Sequence, residues 1–496
     1  MMNSRRQFVK NMGIGSAGLI LSDISMASGI KNFMGANDTI NVAVVGVNGH
    51  GITHINAYKK MEKVRIAVIC DADSAVLDKI VSNLSNEGIK VKAYKDIRKL
   101  YEDKDIDAVS IVTPNHWHAL ATVWACQAGK HVCVEKPVSH SIWEGRKMVE
   151  AARKYKRLVQ ADLDSRSNMN LDAGIKYMQQ NLGKVLLVRI MNYKRRTSIG
   201  KIMGPGNIPS TVDYDLWTGP SPAQPLPRKK LHYDWHWQWL TGNSELGNNG
   251  PHQLDICRWA LGKSTLPRSA FSFGGRYGYN DDGETPNTQV AVFDYDGTPV
   301  IYDSRGLGEK TGIDNMDGAV IYSAAGKRIF HPYKGTANCV VYFICEKGIL
   351  SGNTVYDNDG NVIKTFREQG STGPQFSFIK ALRSNKIEDL KTDILEGHLS
   401  AAISHMGNIS YQLGQKEPVG KIKELVKSNP YLEQVCNEME KHLLANDIDL
   451  NKESLFIGPT LFMDSKSERF TGVNSEKANM FVKDTYRYPY IIPDKI

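Results

Sequence analysis

An α/β chain in two unequal parts is predicted: a doubly wound parallel sheet over residues 38–160, then an α+β domain over 161–415 with a largely antiparallel open sheet. Three observations carry this. Apolar runs at 40–45, 64–70, 108–112 and 131–134 each lead into polar, helix-compatible sequence, the alternation that buries a parallel sheet between helices. The first run ends in a glycine turn, Gly46-Val47-Asn48-Gly49-His50-Gly51. Beyond residue 184 the strand-like stretches crowd together with Gly and Asp-Gly turns between them, the mark of an antiparallel meander.

Taken in order, the chain begins with Ser4-Arg5-Arg6-Gln7-Phe8-Val9-Lys10, a weakly apolar Gly/Ser/Ala-rich stretch and the small residues Ser25-Met26-Ala27. This is the layout of a twin-arginine export signal, which with a short linker fills residues 1–37 and predicts a periplasmic protein, or a leader-anchored one if cleavage fails. Helices at 50–61, 74–87, 116–129 and 141–156 separate the parallel strands. In the second part strands are expected at 185–192, 268–277, 288–294, 298–304, 318–323, 339–345 and 348–351, with Asp296-Gly297 as a hairpin turn and helices at 373–385 and 394–413. Residues 416–496 are polar, with a Tyr/Pro-rich end, and read as an extension to which no role is assigned.

Composition bounds the function. At 41% hydrophobic and 23% charged residues this is a soluble globular chain, and no apolar run after the leader is long enough to cross a bilayer. The net charge of +9 is scattered, with no cluster of Lys and Arg interleaved with aromatics, which argues against nucleic acid as a partner. Seven cysteines, at 70, 126, 133, 257, 339, 345 and 436, show neither CxxC pairs nor Cys/His metal spacing, so buried thiols and no disulfide framework are expected. No metal site is expected either: His50/His54, His116/His118 and His232/His236 have ligand-like spacings but no evident third ligand.

The chemistry starts at the glycine turn. Gly46 permits a tight turn, Gly51 lets the next helix pack close to the strand, and the helix N-terminus, with the backbone of Val47, faces a pyrophosphate. Asn48 stands where a middle glycine is usual, and Asn tolerates left-handed backbone. Asp71 closes the second strand twenty residues after Gly51, placed to bind ribose hydroxyls and to repel a 2′-phosphate, so NAD is expected rather than NADP.

Two further segments follow: Ile111-Val112-Thr113-Pro114-Asn115-His116-Trp117-His118 and Val134-Glu135-Lys136-Pro137. With the glycine turn they make the chain resemble the glucose–fructose oxidoreductase/inositol dehydrogenase (Gfo/Idh/MocA) oxidoreductases over about residues 38–415. The resemblance implies that Thr113, Pro114, Asn115, His118 and Glu135 line the cofactor and that Lys136 sits at the nicotinamide and the substrate hydroxyl. Glu245-Leu246-Gly247-Asn248-Asn249-Gly250-Pro251-His252-Gln253-Leu254-Asp255 is similar to the family's D-x-G-x-H-x-x-D helix start. On that resemblance His252 is the catalytic histidine and Asp255 the trailing carboxylate, while Asn248 replaces the usual aspartate. An amide orients a hydroxyl but does not take its proton. Proton transfer then falls to His252 and Lys136, whose pKa values a buried cationic site can draw toward neutral. The resemblance also implies a homo-oligomer joined through the open face of the second sheet.

Substrate contacts are expected from several residues. The run Leu231-His232-Tyr233-Asp234-Trp235-His236-Trp237-Gln238-Trp239 offers flat aromatic faces with interleaved polar groups, suited to the C–H faces and hydroxyl edges of a sugar, with Trp235 and Trp237 foremost; an aromatic core cluster is the alternative. Arg166 aligns with an arginine that follows the last cofactor-domain strand in relatives, although Asp162 stands where many have Gly. Tyr193, with Lys194 and Arg195 beside it, leaves the first strand of the second domain, either into the cleft or into solvent. The expected activity is NAD-dependent interconversion of hydroxyl and ketone on a sugar, glycoside or polyol, with the NAD kept bound and recycled because free NAD is scarce outside the cytoplasm. Two alternatives stay open: a glycosidase or lyase acting through a transient keto-sugar, and a non-catalytic NAD-bound binding protein.

Overall fold

The computed structural model describes residues 38–308, 321–329, 339–367 and 373–496. The expected export signal, and residues 318–320 of one expected strand, lie outside them.

Six strands form the first sheet: β1 (Ile40–Val45), β2 (Val64–Cys70), β3 (Lys92–Tyr94), β4 (Ala108–Ile111), β5 (His131–Glu135) and β6 (Val159–Asp162). All pair in parallel, in the order β3-β2-β1-β4-β5-β6. The order reverses direction at β1 and β4, so a crevice opens beyond their carboxyl ends, the usual ligand position of such sheets. β1, β4 and β5 are mostly apolar and buried along almost their whole length because helices cover both faces. Asp73 and Asp96 accept N–H groups at the starts of helices Ser74–Asn86 and Ile97–Glu102, each removing an orphan donor. Ser141 and Glu144 form a capping box at helix Ile142–Lys154.

The remaining strands are β7 (Val185–Asn192), β8 (Ser269–Gly275), β9 (Thr288–Tyr295), β10 (Thr298–Arg305), β11 (Ile321–Tyr322), β12 (Arg328–Ile329), β13 (Cys339–Cys345), β14 (Gly348–Ser351), β15 (Thr354–Tyr356), β16 (Val362–Thr365), β17 (Gln415–Glu417), β18 (Leu455–Ile457), β19 (Leu461–Asp464) and β20 (Arg469–Thr471). β11 and β12 pair only with each other; the rest form one twelve-stranded sheet running β16-β15-β14-β13-β7-β10-β9-β8-β18-β17, with β19 also on β8 and β20 on β19. Every pair in it is antiparallel except β7 with β10. Helix Ile394–Gln412 is buried nearly all round and packs against helix Ile142–Lys154, β6 and β8. A helix buried on nearly every side belongs in a core, its polar side chains such as His398, Ser400 and Asn408 bonded inside it, and this one joins the two domains.

Three boundaries need correction. Helix Pro374–Ser384, placed by sequence in the second domain, buries Phe378, Ile379, Ala381 and Leu382 against Ile40, Val42 and Val44 of the first. The predicted border at residue 160 cuts β6. The tail is not an appendage: β17 begins just before it, and β18, β19 and β20 extend the large sheet. Helices Val419–Val426 and Pro430–Ala445 lay Val419, Ile422, Val435, Met439 and Leu443 on Leu187, Tyr193, Val290, Ile301 and Tyr342. The sheet face expected to join subunits is thus covered by the chain's own helices. Farther on, Tyr490 and Ile492 enter the first domain's core, where Tyr490 meets Trp117 edge-on at 5.6 Å. All seven cysteines are free, six of them buried.

The buried histidines set an acid limit on stability. Burial pushes His116 and His405 down to about 3 and His442 to about 4. Below pH about 6.5 the unfolded chain takes up protons that these folded histidines refuse, so stability falls as pH drops. His131, His236 and His252, lowered in the same way, add to the effect, while Glu144, raised by burial to about 8, acts with the opposite sign and offsets part of it. Stability is therefore expected to fall as pH drops from about 6.5 to about 5. Urea midpoints measured across that range check it, and a flat profile would contradict it.

Candidate active site

The crevice beyond β1 and β4 is a cavity of about 410 Å³ running from Asp71, Asp96 and Ile97 to Lys136, Asn248, Tyr233 and His236. Its floor is the glycine turn. Gly46 has φ +83°, and a Cβ there would lie 2.5 Å from the Val112 carbonyl oxygen; one on Gly51 would lie 2.1 Å from the Gly46 oxygen. Both positions therefore exclude side chains. Gly46, not Asn48, carries the left-handed backbone, so the tolerance of Asn for that conformation is not used; Asn48 is exposed at the cavity. The Asp71 carboxylate accepts the Val47 N–H at 2.8 Å and the Asp73 N–H at 3.0 Å, and burial raises its pKa against those bonds.

The opposite wall is the segment after β4. Thr113 and Pro114 line it, and the Thr113 hydroxyl is buried with no partner, an orphaned polar atom facing the cavity where a cofactor would lie. With the two excluded Cβ positions and the Asp71 carboxylate, this crevice fits a dinucleotide. The Asn115 amide donates to Asn243 Oδ1 at 2.9 Å, tying this wall to the second domain. The His118 ring is wedged between the Pro137 and Thr113 carbonyls at 2.6 and 2.7 Å, which fixes two cofactor loops against each other. Asp71→Ala is expected to weaken NAD binding about 10- to 100-fold through loss of charged hydrogen bonds. Titration of cofactor-stripped protein checks it; unchanged affinity would remove Asp71 from the site.

Glu135 is buried behind Lys136. Burial alone would raise its pKa, but hydrogen bonds from His50 and His54 and the charge of Lys136 hold it well below the usual carboxylate range. His54 bridges Ser110 at 2.7 Å and Glu135 at 3.1 Å, with the Asp162 carboxylate at 3.3 Å. Among the described residues, His50, His54 and Glu135, and likewise His54, Cys133 and Asp162, bring possible metal-ligand atoms within 4.8 Å of one another. The sequence reading lacked a third ligand because Glu135 lies eighty-one residues from His54.

At the inner end the Lys136 ammonium donates to the Asn248 carbonyl oxygen at 3.1 Å. His252 is held neutral: burial, then the positive charge of Lys136, lowers its pKa to about 3, well below the near-neutral value expected. Lys194 donates to Asn249 Oδ1 at 2.5 Å, and the Glu245 carboxylate receives Arg196 at 2.9 and 3.0 Å. Trp235 and His236 stack with ring centroids 3.6 Å apart and an interplanar angle of 19°, forming an aromatic wall beside Tyr233.

Four expected substrate contacts fall elsewhere. Tyr193 is fully buried on the far side of the large sheet, where its hydroxyl donates to Asp303 at 2.6 Å under the Arg305 guanidinium. Side chains alternate along a strand, so Tyr193 faces the opposite side of the sheet from Asn192, which donates to Glu245 and Tyr302. Arg166 and Asp255 pair with each other at 2.8 and 2.9 Å, and Arg166 also reaches Glu396 at 2.8 Å, all away from the cavity. Trp237 is buried, with the Arg196 guanidinium over its ring at 5.3 Å. Tyr233 and His236, members of the same aromatic run, form the wall with Trp235, which lies where it was expected. Lys194 does not line the cavity; its ammonium is held by Asn249.

The model of the NAD-binding Rossmann fold of the Gfo/Idh/MocA oxidoreductases matches residues 40–163, and that of the family's C-terminal alpha/beta domain matches 184–335. A glycosyl hydrolase family 109 protein of Shewanella pealeana is 30% identical over 169 residues, 30% of this chain and 37% of that protein. One from Shewanella baltica is 31% identical over the same length and shares. The chain thus spans little more than a third of these relatives. The WlbA dehydrogenase from Bordetella pertussis, solved with NADH and UDP-GlcNAcA, has the same fold at 17% identity and TM-score 0.53, covering 74% of this chain and 96% of that one. The UDP-N-acetylglucosamine 3-dehydrogenase GnnA from Acidithiobacillus ferrooxidans is similar in fold at 15% identity and TM-score 0.50, covering 75% and 97%. Together the two family models span more than half of the chain, which belongs to the Gfo/Idh/MocA oxidoreductase family and carries its NAD-binding Rossmann domain.

Proposed function

We propose that this protein is an NAD-dependent oxidoreductase that interconverts a hydroxyl and a ketone on a sugar, glycoside or polyol, using NAD that it retains between turnovers. The observation that carries the reading is the inner end of the cavity, lined by the Lys136 ammonium anchored to Asn248; His252 does not line it but is close enough to feel the Lys136 charge and is neutral. A neutral imidazole accepts the hydroxyl proton at physiological pH, and the ammonium stabilises the alkoxide that forms. Bound NAD⁺ supplies the hydride acceptor. Trp235, His236 and Tyr233 offer a flat wall for a sugar face, and the Asn248 amide orients a hydroxyl.

Retention of the cofactor draws support from the segment that spans the crevice. His232 reaches Asp73 at 3.1 Å, the Trp117 indole donates to the Leu216 carbonyl at 3.1 Å, and Val212 pairs with Asp73. Leaving NAD would have to part these contacts. A protein exported already folded through its Arg5-Arg6 leader would carry its cofactor into the periplasm in this way. Mass spectrometry of protein purified without added nucleotide is expected to find nicotinamide in near-equal molar amount; its absence after gentle purification would contradict retention.

A second reading draws on the curated relatives named as glycosyl hydrolases. There the transient ketone acidifies the neighbouring C–H, the aglycone is eliminated, water adds, and the ketone is reduced again on the same NAD. Release of nitrophenol from a nitrophenyl glycoside, with solvent deuterium incorporated beside the former ketone, selects it. A keto-glycoside that keeps its aglycone selects simple oxidation.

A further inference from the structure

A second cavity, of about 430 Å³, lies on the other side of the Asn115–Asn243 hydrogen bond from the cofactor crevice. Segments distant in sequence build it: residues 140–144 at the start of helix Ile142–Lys154 with His116, the loop at 220–222 with 239–243, the last two turns of helix Ile394–Gln412, and tail residues 480–486. Its volume falls within the roughly 300–1,000 Å³ of small-molecule sites. Trp239, the last member of the aromatic run and one the cofactor crevice does not use, lines it with Tyr486, while Phe481, 40% exposed, stands at its rim.

The polar groups of this cavity are held in place. His140 Nδ1 meets the Asp484 carboxylate at 2.9 Å, and its backbone N–H donates to Glu144 at 2.7 Å. The Tyr486 hydroxyl donates to Glu144 at 3.1 Å. The Asp484 carboxylate, above all, raises the His140 pKa to about 9 against the penalty of burial, so the pair is an ion pair at neutral pH. Burial lifts the Glu144 carboxyl to about 8, and His116 and His405 are neutral. Lys483 spends its charge on Asp494. Each charge in the lining is therefore ion-paired, His140 with Asp484 inside it and Lys483 with Asp494 outside it. The cavity offers aromatic faces together with fixed donors and acceptors, and adds the amide of Gln412. A polyamine would find no free carboxylate here, and a phosphate only cations that are already paired. A ring with apolar C–H faces and several hydroxyls matches both kinds of wall.

We propose that this cavity is a second ligand site, separate from the cofactor crevice, for a neutral polyhydroxylated ring of monosaccharide size, a pyranose or a cyclitol. The proposal does not depend on which reaction the crevice carries out. Because Asn115 lines the crevice and bonds Asn243 of the second cavity, a ligand there bears on the wall behind the cofactor.

The test is calorimetric titration of the NAD-loaded protein with D-glucose, myo-inositol and glucose 6-phosphate, in wild type and in Gln412→Leu, Tyr486→Phe and Lys136→Ala. Saturable binding of glucose or inositol is expected to survive Lys136→Ala, to weaken at least about tenfold in Gln412→Leu and Tyr486→Phe, and to be absent for glucose 6-phosphate. Turnover in the crevice should remain in the two wall variants. Crystals of the wild type soaked with inositol should show the ring between Trp239 and Tyr486, a readout that holds even if a variant fails to fold. The proposal is overturned by no saturable binding, by binding that is lost in Lys136→Ala and unmoved in the wall variants, by equal affinity for the phosphate, or by a soaked ring found only in the crevice.

Discussion

Lys136→Met is expected to lower kcat about a thousandfold, within the range that a positioned proton-transfer group contributes. Methionine keeps most of the apolar stem and deletes the charge that donates to Asn248 and depresses the His252 pKa. The alkoxide loses its cation. His252, freed of the nearby positive charge, becomes a somewhat stronger base, which offsets only part of that loss. NAD should stay bound, since Asp71, Gly46, Gly51 and Thr113 are untouched, so the loss should appear in kcat rather than in cofactor content. Steady-state kinetics on the NAD-loaded variant decide this. A kcat within a few-fold of wild type would remove Lys136 from the chemistry.

The second large effect is structural. Asp255 is 1% exposed and receives two guanidinium bonds from Arg166 and the Ser400 hydroxyl at 2.9 Å. Asp255→Ala leaves Arg166 with Glu396 as its carboxylate and takes away the acceptor of the Ser400 hydroxyl, so a loss of about 3–5 kcal/mol is expected, as for one-sided removal of a buried ion pair. KM measured on the folded fraction should not move. A substrate-binding carboxylate gives the reverse pattern, a raised KM with stability unchanged, and urea unfolding run beside kinetics separates the two.

Local signals account for most of what the sequence made legible. The glycine turn, Asp71 at the end of β2, and Thr113 and Lys136 after β4 and β5 each follow an apolar strand by a fixed short step, and the sheet order then brings them to one crevice. What failed was long-range. The tail strands are three or four residues long and their partners lie far away in sequence, β18 on β8 for example, so no local period announces them. Helix Pro374–Ser384 looks like any amphipathic helix, and only the fold shows that its apolar side covers β1. Charged residues were read as substrate contacts because nothing local said that Arg166 and Asp255 would neutralise each other across eighty-nine residues. Tyr193 is a different kind of miss. The alternation of β7, which puts Met191 and Tyr193 on the face opposite Asn192 and its partners Glu245 and Tyr302, was present in the sequence and turns Tyr193 away.

The central claim, a hydroxyl oxidised on retained NAD, is tested most directly by one anaerobic mixing experiment. Protein carrying only its own NAD is mixed with a panel of glycosides and polyols, and bound NADH and keto product are quantified together by mass spectrometry. For the true substrate class the account predicts NADH and ketone in equal amounts, no more than one per protein, and return of the NADH to NAD⁺ when a keto-sugar is added. NAD that stays oxidised with every substrate, in protein shown to hold it, would contradict the account.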